Sequence, residues 1–290
     1  MMDKAALFGT AGSPENFYAD GFSASADIPA WLKDRGLDAY EYSAGRGVRI
    51  KNETAAILGE AARQAGVVLS LHAPYFINLN TADTSQQEKN LMYITSSIKA
   101  AMAMGAGRVI FHAAGQGKLE RAEAFETTRK NLVGVLDELA RQGLDKIPLL
   151  PETMGKKGQI GTLEEVVELC RLQPGFLLPA VDFGHLYAVG GGAYITKQEY
   201  LRAFGYIGEK LGESFLRDLH IHFSRIEFTK AGERRHLNFS DGGGPPFEPL
   251  LDAVRDLRMS PHIICESAGQ QDTDALAMKN YYTRAVGVGQ

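Results

Sequence analysis

Where the apolar run Leu149, Leu150, Pro151 stops, the chain places Glu152, in the stretch LPETMGKKGQIG. A carboxylate at the end of a buried strand is costly unless a metal ion or another cation meets it. Imidazoles and carboxylates recur at comparable points. His72 closes VVLSLH, His112 closes VIFH, Asp182 and His185 fall in AVDFGH, His220 and His222 in DLHIHFS, and Glu266 follows IIC. Side chains alternate along a strand, so residues two apart share a face. By that parity Ser70 goes with His72, Ile110 with His112, Ala180 with Asp182 and Ile264 with Glu266. A lone histidine in a strand is ordinarily a hydrogen-bonded core residue, whereas the same chemistry in six separate runs points to a site. Mixed imidazole and carboxylate donors suit Zn, Mn or Fe. No thiolate is placed to join them, and no G-x-S-x-G occurs to supply a serine nucleophile.

These residues need elements that bring them to one place. Apolar, β-rich runs are expected as strands at 5–9, 39–44, 67–73, 108–114, 147–153, 177–185, 218–224 and 262–268. Helical patterns separate them at 28–34, 53–64, 85–104, 120–141, 163–172, 197–210, 247–257 and 272–285. Asn52 or Thr54 is expected to cap the second helix, Thr162 with Glu165 forms a capping box for the fifth, and Gly143 ends the fourth. Continuous apolar strands, each followed by a helix, imply a parallel sheet covered on its outer face. Eight such units predict a (β/α)8 TIM barrel in one domain spanning 1–290, with the active site at the C-terminal strand ends. A doubly wound open sheet would want a glycine fingerprint after an early strand, and GTAGSPENF is not G-x-G-x-x-G.

A chain of 290 residues suits such a barrel without a second domain. No apolar run is long enough to span a bilayer, so no membrane partner is expected. MMDKAALFGTAG has an early Asp and only a short apolar run, unlike a signal peptide. Cys170 and Cys265 form neither a CxxC pair nor a disulfide framework, which makes a reducing, cytoplasmic setting the expectation. The net charge of −4 argues against a surface uniformly attractive to nucleic acid but leaves room for a local basic rim.

LHAPYFINLN, FHAAG, ETMGKKGQIGT, VDFGHLYAVGG and the late CES resemble the endonuclease IV family of metal-dependent apurinic/apyrimidinic endonucleases, and the likeness extends over nearly the whole chain. The resemblance implies that His72, His112 and Glu152 hold one metal ion. Glu152, Asp182, His222 and Glu266 would hold a second, with Glu152 bridging. A third would take His185 with an Asp and a His from the loop after the seventh strand. Two or three divalent ions are implied, Zn2+ first and Mn2+ second. Ions on the order of 3.5–4 Å apart can generate a hydroxide nucleophile and clamp both oxygens of a phosphodiester. The implied product is a nick 5′ to an abasic site in double-stranded DNA, made by a monomer with Glu152 at its catalytic centre.

The loop after the seventh strand departs from that pattern. The family has D-R-H, whereas this chain reads GERRHLNFSDGG. His236 supplies the His; Arg234 stands two residues before it, and Glu233, one residue further back, is the candidate acid, with Glu227 and Asp241 as alternatives. Between His220 and His222 the pattern selects His222, leaving His220 in a supporting role; His262, at the start of its strand, reads as structural. The resemblance places Tyr75 and Phe76 as a wedge into damaged DNA, and Arg46 and Arg49 in its groove. A Tyr–Phe pair packed against a neighbouring loop is the plain alternative. Further basic residues on the expected mouth-side loops are Lys118, Arg121, Lys156, Lys157, Arg225, Lys230, Arg234 and Arg235. Sugar isomerases and ketose 3-epimerases offer a rival reading, since Glu152, Asp182, His222 and Glu266 also resemble their single-metal tetrad. Such an epimerase would use Glu152 and Glu266 as facing acid and base. His72 and His112 are the discriminating pair, because an epimerase does not need them for its metal. A catalytically silent barrel is the third reading.

Overall fold

The apolar runs become short parallel strands: β1 (Leu7–Ala11), β2 (Ala39–Ser43), β3 (Val68–His72), β4 (Val109–Phe111), β5 (Leu149–Pro151), β6 (Ala180–Asp182), β7 (His220–Phe223) and β8 (His262–Cys265). This computed structural model describes residues 5–284. The strands pair in parallel in the order β5-β4-β3-β2-β1-β8-β7-β6. Parallel bridges from Leu149 to Leu177 and from Glu152 to Ala180 bring β5 beside β6 and complete the ring. The fold is therefore the eight-stranded TIM barrel expected from the alternation of runs.

Strand parity divides the side chains as the pleat requires. Phe8, Leu69, Leu71, Val109, Phe111, Leu149, Val181, Ile221, Phe223 and Ile263 belong to the large apolar core that includes the surrounding helices. Ile110, Leu150 and Ala180, on the opposite parity, form a small separate apolar cluster inside the barrel. Above and beside that cluster the interior is polar: Glu41, Ser70, His72, Glu152, Asp182, His220 and His222 are all buried. This is unlike the Val, Ile and Leu filling usual for such barrels.

The local signals hold at some element ends and fail at others. Thr162 and Glu165 form the capping box, and Gly143 lies at φ +66 just past the helix Arg121–Arg141. The helix Asn52–Ala65, however, has Lys51 at its N-cap and no side-chain cap, so neither Asn52 nor Thr54 caps it. The expected strand 177–185 ends at Asp182, because Asp182 Oδ1 accepts the His185 backbone N–H at 2.7 Å and starts the helix Phe183–Val189. The segment after β7, read as a loop, is an antiparallel ribbon of Arg225–Thr229 with Gly232–Leu237. The last helix is described over Gln271–Arg284; its expected end at Ala285 lies outside the described residues. Cys170 and Cys265 are both free and buried. Among the described residues no helix is long and apolar enough to cross a membrane.

Candidate metal centre at the barrel mouth

Glu152, one residue past β5, is where the polar side chains meet. Its Oε2 lies 3.0 Å from His72 Nε2 and 3.1 Å from His112 Nε2. His72 Nδ1 is 2.8 Å from the Ala73 carbonyl, which can only accept, so Nδ1 keeps its proton and Nε2, facing Glu152, is the edge at which a cation would replace a proton. Oε1 of Glu152 lies 3.0 Å from His222 Nδ1, which is also 3.5 Å from Glu266 Oε1. Glu152 thus faces one imidazole set with each oxygen, the arrangement a bridging carboxylate needs.

The second set is less uniform. Ligand atoms of Glu152, Asp182, His185 and Glu266 all fall within 4.8 Å of one another, while His222 joins through its contacts with Glu152 and Glu266. His185 reaches this set from the first turn of a helix and not from a strand end. Its Nδ1 is 2.9 Å from the Thr153 carbonyl, which fixes the proton there and turns Nε2 outward.

Outward of His185 lies a third group, His185, Glu233 and His236. Glu233 Oε2 is 3.5 Å from His185 Nε2, and Glu233 Oε1 is 3.7 Å from His236 Nε2. Residues three apart in a regular strand face opposite ways. Here Glu227 pairs with Arg235 and Phe228 with Glu233, so Arg234 is the extra residue of a β-bulge. A bulge shifts the alternation by one residue, which lets Glu233 and His236 face the same side. The spacing that departs from D-R-H is thereby absorbed. The ribbon is also tied to the loop after β5: Glu233 N–H donates to Gly155 O at 2.7 Å, and Lys157 N–H to Ala231 O at 3.0 Å. At Gly155 a Cβ would stand 2.7 Å from both Glu233 Oε2 and His185 Cδ2, so only glycine leaves room for the group. The other candidate acids are engaged elsewhere, Glu227 with Arg234 and Arg235, and Asp241 with the backbone of Asn238.

The electrostatics of the metal-free chain test whether cations fit. Burial raises Glu266, and despite His222 the neighbouring Glu152 and Asp182 leave it at about 8. Burial opposes a charged His185, yet Asp182, Glu152 and Glu233 lift it to about 9. Glu152 is buried too, but His222 and His112 hold it well below the usual carboxylate range. Asp182 Oδ2 is buried with no hydrogen-bond partner among the described residues. Three carboxylates crowded together, one forced toward its neutral form and another with an orphaned oxygen, are what a cation would relieve. The donor set fits divalent metal ions held by nitrogen and oxygen.

Glu41 escaped the sequence reading. It lies in the middle of β2, wholly buried, beside His220 and His222. A charged residue inside the run AYEYS was the available signal. Ser224 was missed as well, with its hydroxyl 2.8 Å from His236 Nδ1. The rim residues are where a ligand could meet them. Tyr75 and Phe76 are 54% and 53% exposed and yet packed on one side, Phe76 beside Tyr93. The Tyr75 ring stacks near His112 at 5.2 Å, and Gly45 is the residue that lets it lie there, since a Cβ would come within 2.4 Å of the ring. Arg46, Arg49, Lys118, Lys156, Lys157 and Lys230 are exposed. Other basic residues brace the loops: Arg121 pairs with Glu165, Arg225 donates to Phe239 O, and Arg234 and Arg235 hold Glu227. A cavity of about 200 Å3 opens at the centre, lined in part by Glu41, His72, Tyr75, His236, Glu266 and Gln271.

Residues 29–281 match the family described as xylose isomerase-like TIM barrel. An uncharacterized protein of Methanocaldococcus jannaschii is 32% identical over 276 residues, covering 95% of this chain and 96% of its own. A probable endonuclease 4 of Symbiobacterium thermophilum is 31% identical over 189 residues, covering 61% of this chain and 63% of its own. Among solved structures, endonuclease IV from Thermus thermophilus superposes with a TM-score of 0.69 at 19% identity, over 96% of this chain and 99% of that one. A D-tagatose 3-epimerase-like protein gives 0.67 at 18% identity, over 87% and 90%. At these identities the structural matches speak for the fold alone, which endonucleases and epimerases share. On the match over most of its length, together with the closed parallel barrel, this chain belongs to the xylose isomerase-like TIM-barrel family.

Proposed function

We propose that the protein is a metal-dependent phosphodiester hydrolase that incises double-stranded DNA 5′ to abasic sites, as the endonuclease IV relatives' name suggests. The observation that carries the reading is the pairing of His72 and His112 on one oxygen of Glu152, with His222 on the other. Such a carboxylate would serve two ions at once, and His185, Glu233 and His236 would serve a third.

Divalent ions bound there, Zn2+ foremost, would lower the pKa of water and offset phosphate charge. The chain's own residues do the rest. His72 and His185 present Nε2 in a fixed tautomer, because backbone carbonyls hold their Nδ1 protons. Glu152, kept ionised by its imidazoles, is a base that can orient a water beside the phosphorus. Tyr75 and Phe76 cover the mouth as a wedge at the lesion, and Arg46 and Arg49 face the phosphate backbone.

The second reading is a sugar epimerase, favoured by the epimerase-like neighbour and by a cavity of about 200 Å3, a volume suited to a small polar ligand. It leaves His72 and His112 without a task. The deciding experiment is incision of a duplex carrying a tetrahydrofuran abasic analogue, which resists lyase chemistry, with and without prolonged chelation. A chelator-sensitive nick 5′ to the analogue is expected. No nick by metal-loaded protein, with turnover of a ketose, would replace the nuclease with the epimerase.

A further inference from the structure

The barrel interior beneath the mouth holds a group that the ligand scheme does not use. Glu41 reaches from β2 across the lumen toward β7, two strands beyond its neighbour β1 in the ring. Its Oε1 is 3.0 Å from His222 Nε2 and its Oε2 is 3.1 Å from His220 Nε2. Ser70, its register partner on β3, donates its hydroxyl to Oε2 at 2.7 Å. Glu41, His220 and His222 are all wholly or almost wholly buried. His220 Nε2 and His222 Nε2 are themselves hydrogen-bonded at 3.0 Å.

We propose that Glu41 is a positioning residue that keeps the proton of His222 on Nε2, so that Nδ1 is the edge offered to a cation between Glu152 and Glu266. The inference rests on the metal reading above. Both ring nitrogens of His222 face a carboxylate oxygen at 3.0 Å, Nε2 that of Glu41 and Nδ1 that of Glu152, and a cation held between Glu152 and Glu266 would relieve the Nδ1 side. On the Glu41 side no such cation stands between them, so a bare Nε2 would set a lone pair against a carboxylate in a wholly buried place, where that repulsion is barely screened. A protonated Nε2 turns the same contact into attraction. Neutral imidazole carries only one N–H, so fixing it on Nε2 leaves Nδ1 free, 3.0 Å from Glu152 and 3.5 Å from Glu266. Carboxylate, imidazole and metal in series is a known way of orienting a ligand and raising its basicity. Here the carboxylate comes from a strand three places round the ring, and Ser70 keeps it from turning away. His220 fills the space beside it and takes part in the same contacts.

The test is binding of Zn2+ or Co2+ alone to metal-stripped wild type and Glu41→Gln, by chelator competition and metal analysis, with folding checked by circular dichroism. Glutamine keeps the size but removes the charge and turns an N–H2 toward one imidazole. The variant is expected to bind its second ion on the order of 10–100-fold more weakly, the usual effect of losing such a partner. The ion at His72, His112 and Glu152 should bind nearly as in wild type. Long-range 15N NMR of the Zn2+-loaded wild type should show His222 protonated at Nε2 and bound through Nδ1, and the Co2+ spectrum of the variant should lose the second site's bands first. If Glu41→Gln does not fold, Glu41→Asp, which keeps the charge, should show a smaller loss of the same selectivity. Wild-type affinity at both sites in the variant overturns the proposal. Loss of one additional equivalent with the first two ions unchanged also overturns it, making Glu41 a ligand in its own right. A wild-type protein that takes up no divalent ion defeats the metal reading itself, a separate result from either.

Discussion

The mouth has two kinds of donor, and they are held by different means. His72, Glu152, Asp182, His222 and Glu266 sit at or just beyond the ends of β3, β5, β6, β7 and β8, where hydrogen-bonded neighbours on both sides fix each Cα. Glu233 and His236 ride on a two-stranded ribbon that is positioned by local features: a bulge at Arg234, two backbone bonds to the loop after β5, a glycine at 155 and the Ser224 hydroxyl at His236 Nδ1. Of the inner donors His72, Glu152, Asp182 and His222 are buried, whereas Glu266, like Glu233 and His236, is only half-buried. A rigid scaffold positions the first group directly; the second depends on a register shift and on one missing side chain. The inner positions should therefore tolerate less chemistry and more mechanical change, and the outer one the reverse.

The largest effect is expected at the inner set. Glu152→Gln keeps the shape but removes the charge that faces four imidazoles, so incision should fall on the order of 10³-fold or more, the scale of losing a principal electrostatic stabiliser. Circular dichroism should show the barrel intact. Near-full activity would end the bridging role.

The outer set should yield to a purely steric change. Gly155→Ala puts a methyl against Glu233 and His185, and overpacking of this kind costs about 1–3 kcal/mol in stability. Metal analysis should show the third ion lost and the first two retained. Loss of all three together would show that the two regions are one unit and that the contrast drawn between them is wrong.

How far these regions were legible in the sequence follows the same division. Strand parity alone put Ser70 and His72, Ala180 and Asp182, and Ile264 and Glu266 on the barrel's inner side, because a period of two survives any uncertainty in where a strand ends. The site residues that escaped did so for physical reasons. Glu41 is a charge inside a buried strand, and only the fold shows that β2 faces β7 across the lumen. His185 is legible as a donor, and only its element is not, because Asp182 caps a helix ahead of it where the apolar run suggests a strand. The meeting of Glu233 with His185 needs a bulge, which carries no composition signal, and the candidate could be named from the ribbon's sequence only through a family resemblance. Local rules reach as far as a residue's own element.

The rim tests the loop-borne class without metals. Tyr75→Ala combined with Phe76→Ala removes two exposed rings, and stacking of a base on an aromatic side chain contributes roughly 1–3 kcal/mol. Binding of catalytically inactive protein to a duplex with an abasic analogue should weaken more than binding to intact duplex, by fluorescence anisotropy at fixed salt. Equal losses would count against a wedge.

The smallest expected effect is a pH dependence that separates the two regions within one measurement. In the metal-free chain burial and the carboxylates around it lift Glu266 from 4.5 to about 8, and His185 goes from 6.5 to about 9 despite its burial. For both groups the folded state holds its proton more tightly than the unfolded chain. The stability this supplies is full below the unfolded value and lost as pH rises through the folded one. The Tm of metal-stripped protein should therefore decline by several degrees between pH 4.5 and 9, through Glu266 from 4.5 to about 8 and through His185 from 6.5 to about 9, and the loaded protein, whose ions take the place of the protons, should not follow it. Glu233, from the ribbon, is one of the charges that lift His185, but it is not among the leading influences on Glu266. Glu233→Gln should accordingly draw the upper part of the decline to lower pH and leave the Glu266 part in place. A curve that shifts as a whole would mean that the ribbon and the strand ends share one electrostatic field, and that only their mechanics differ.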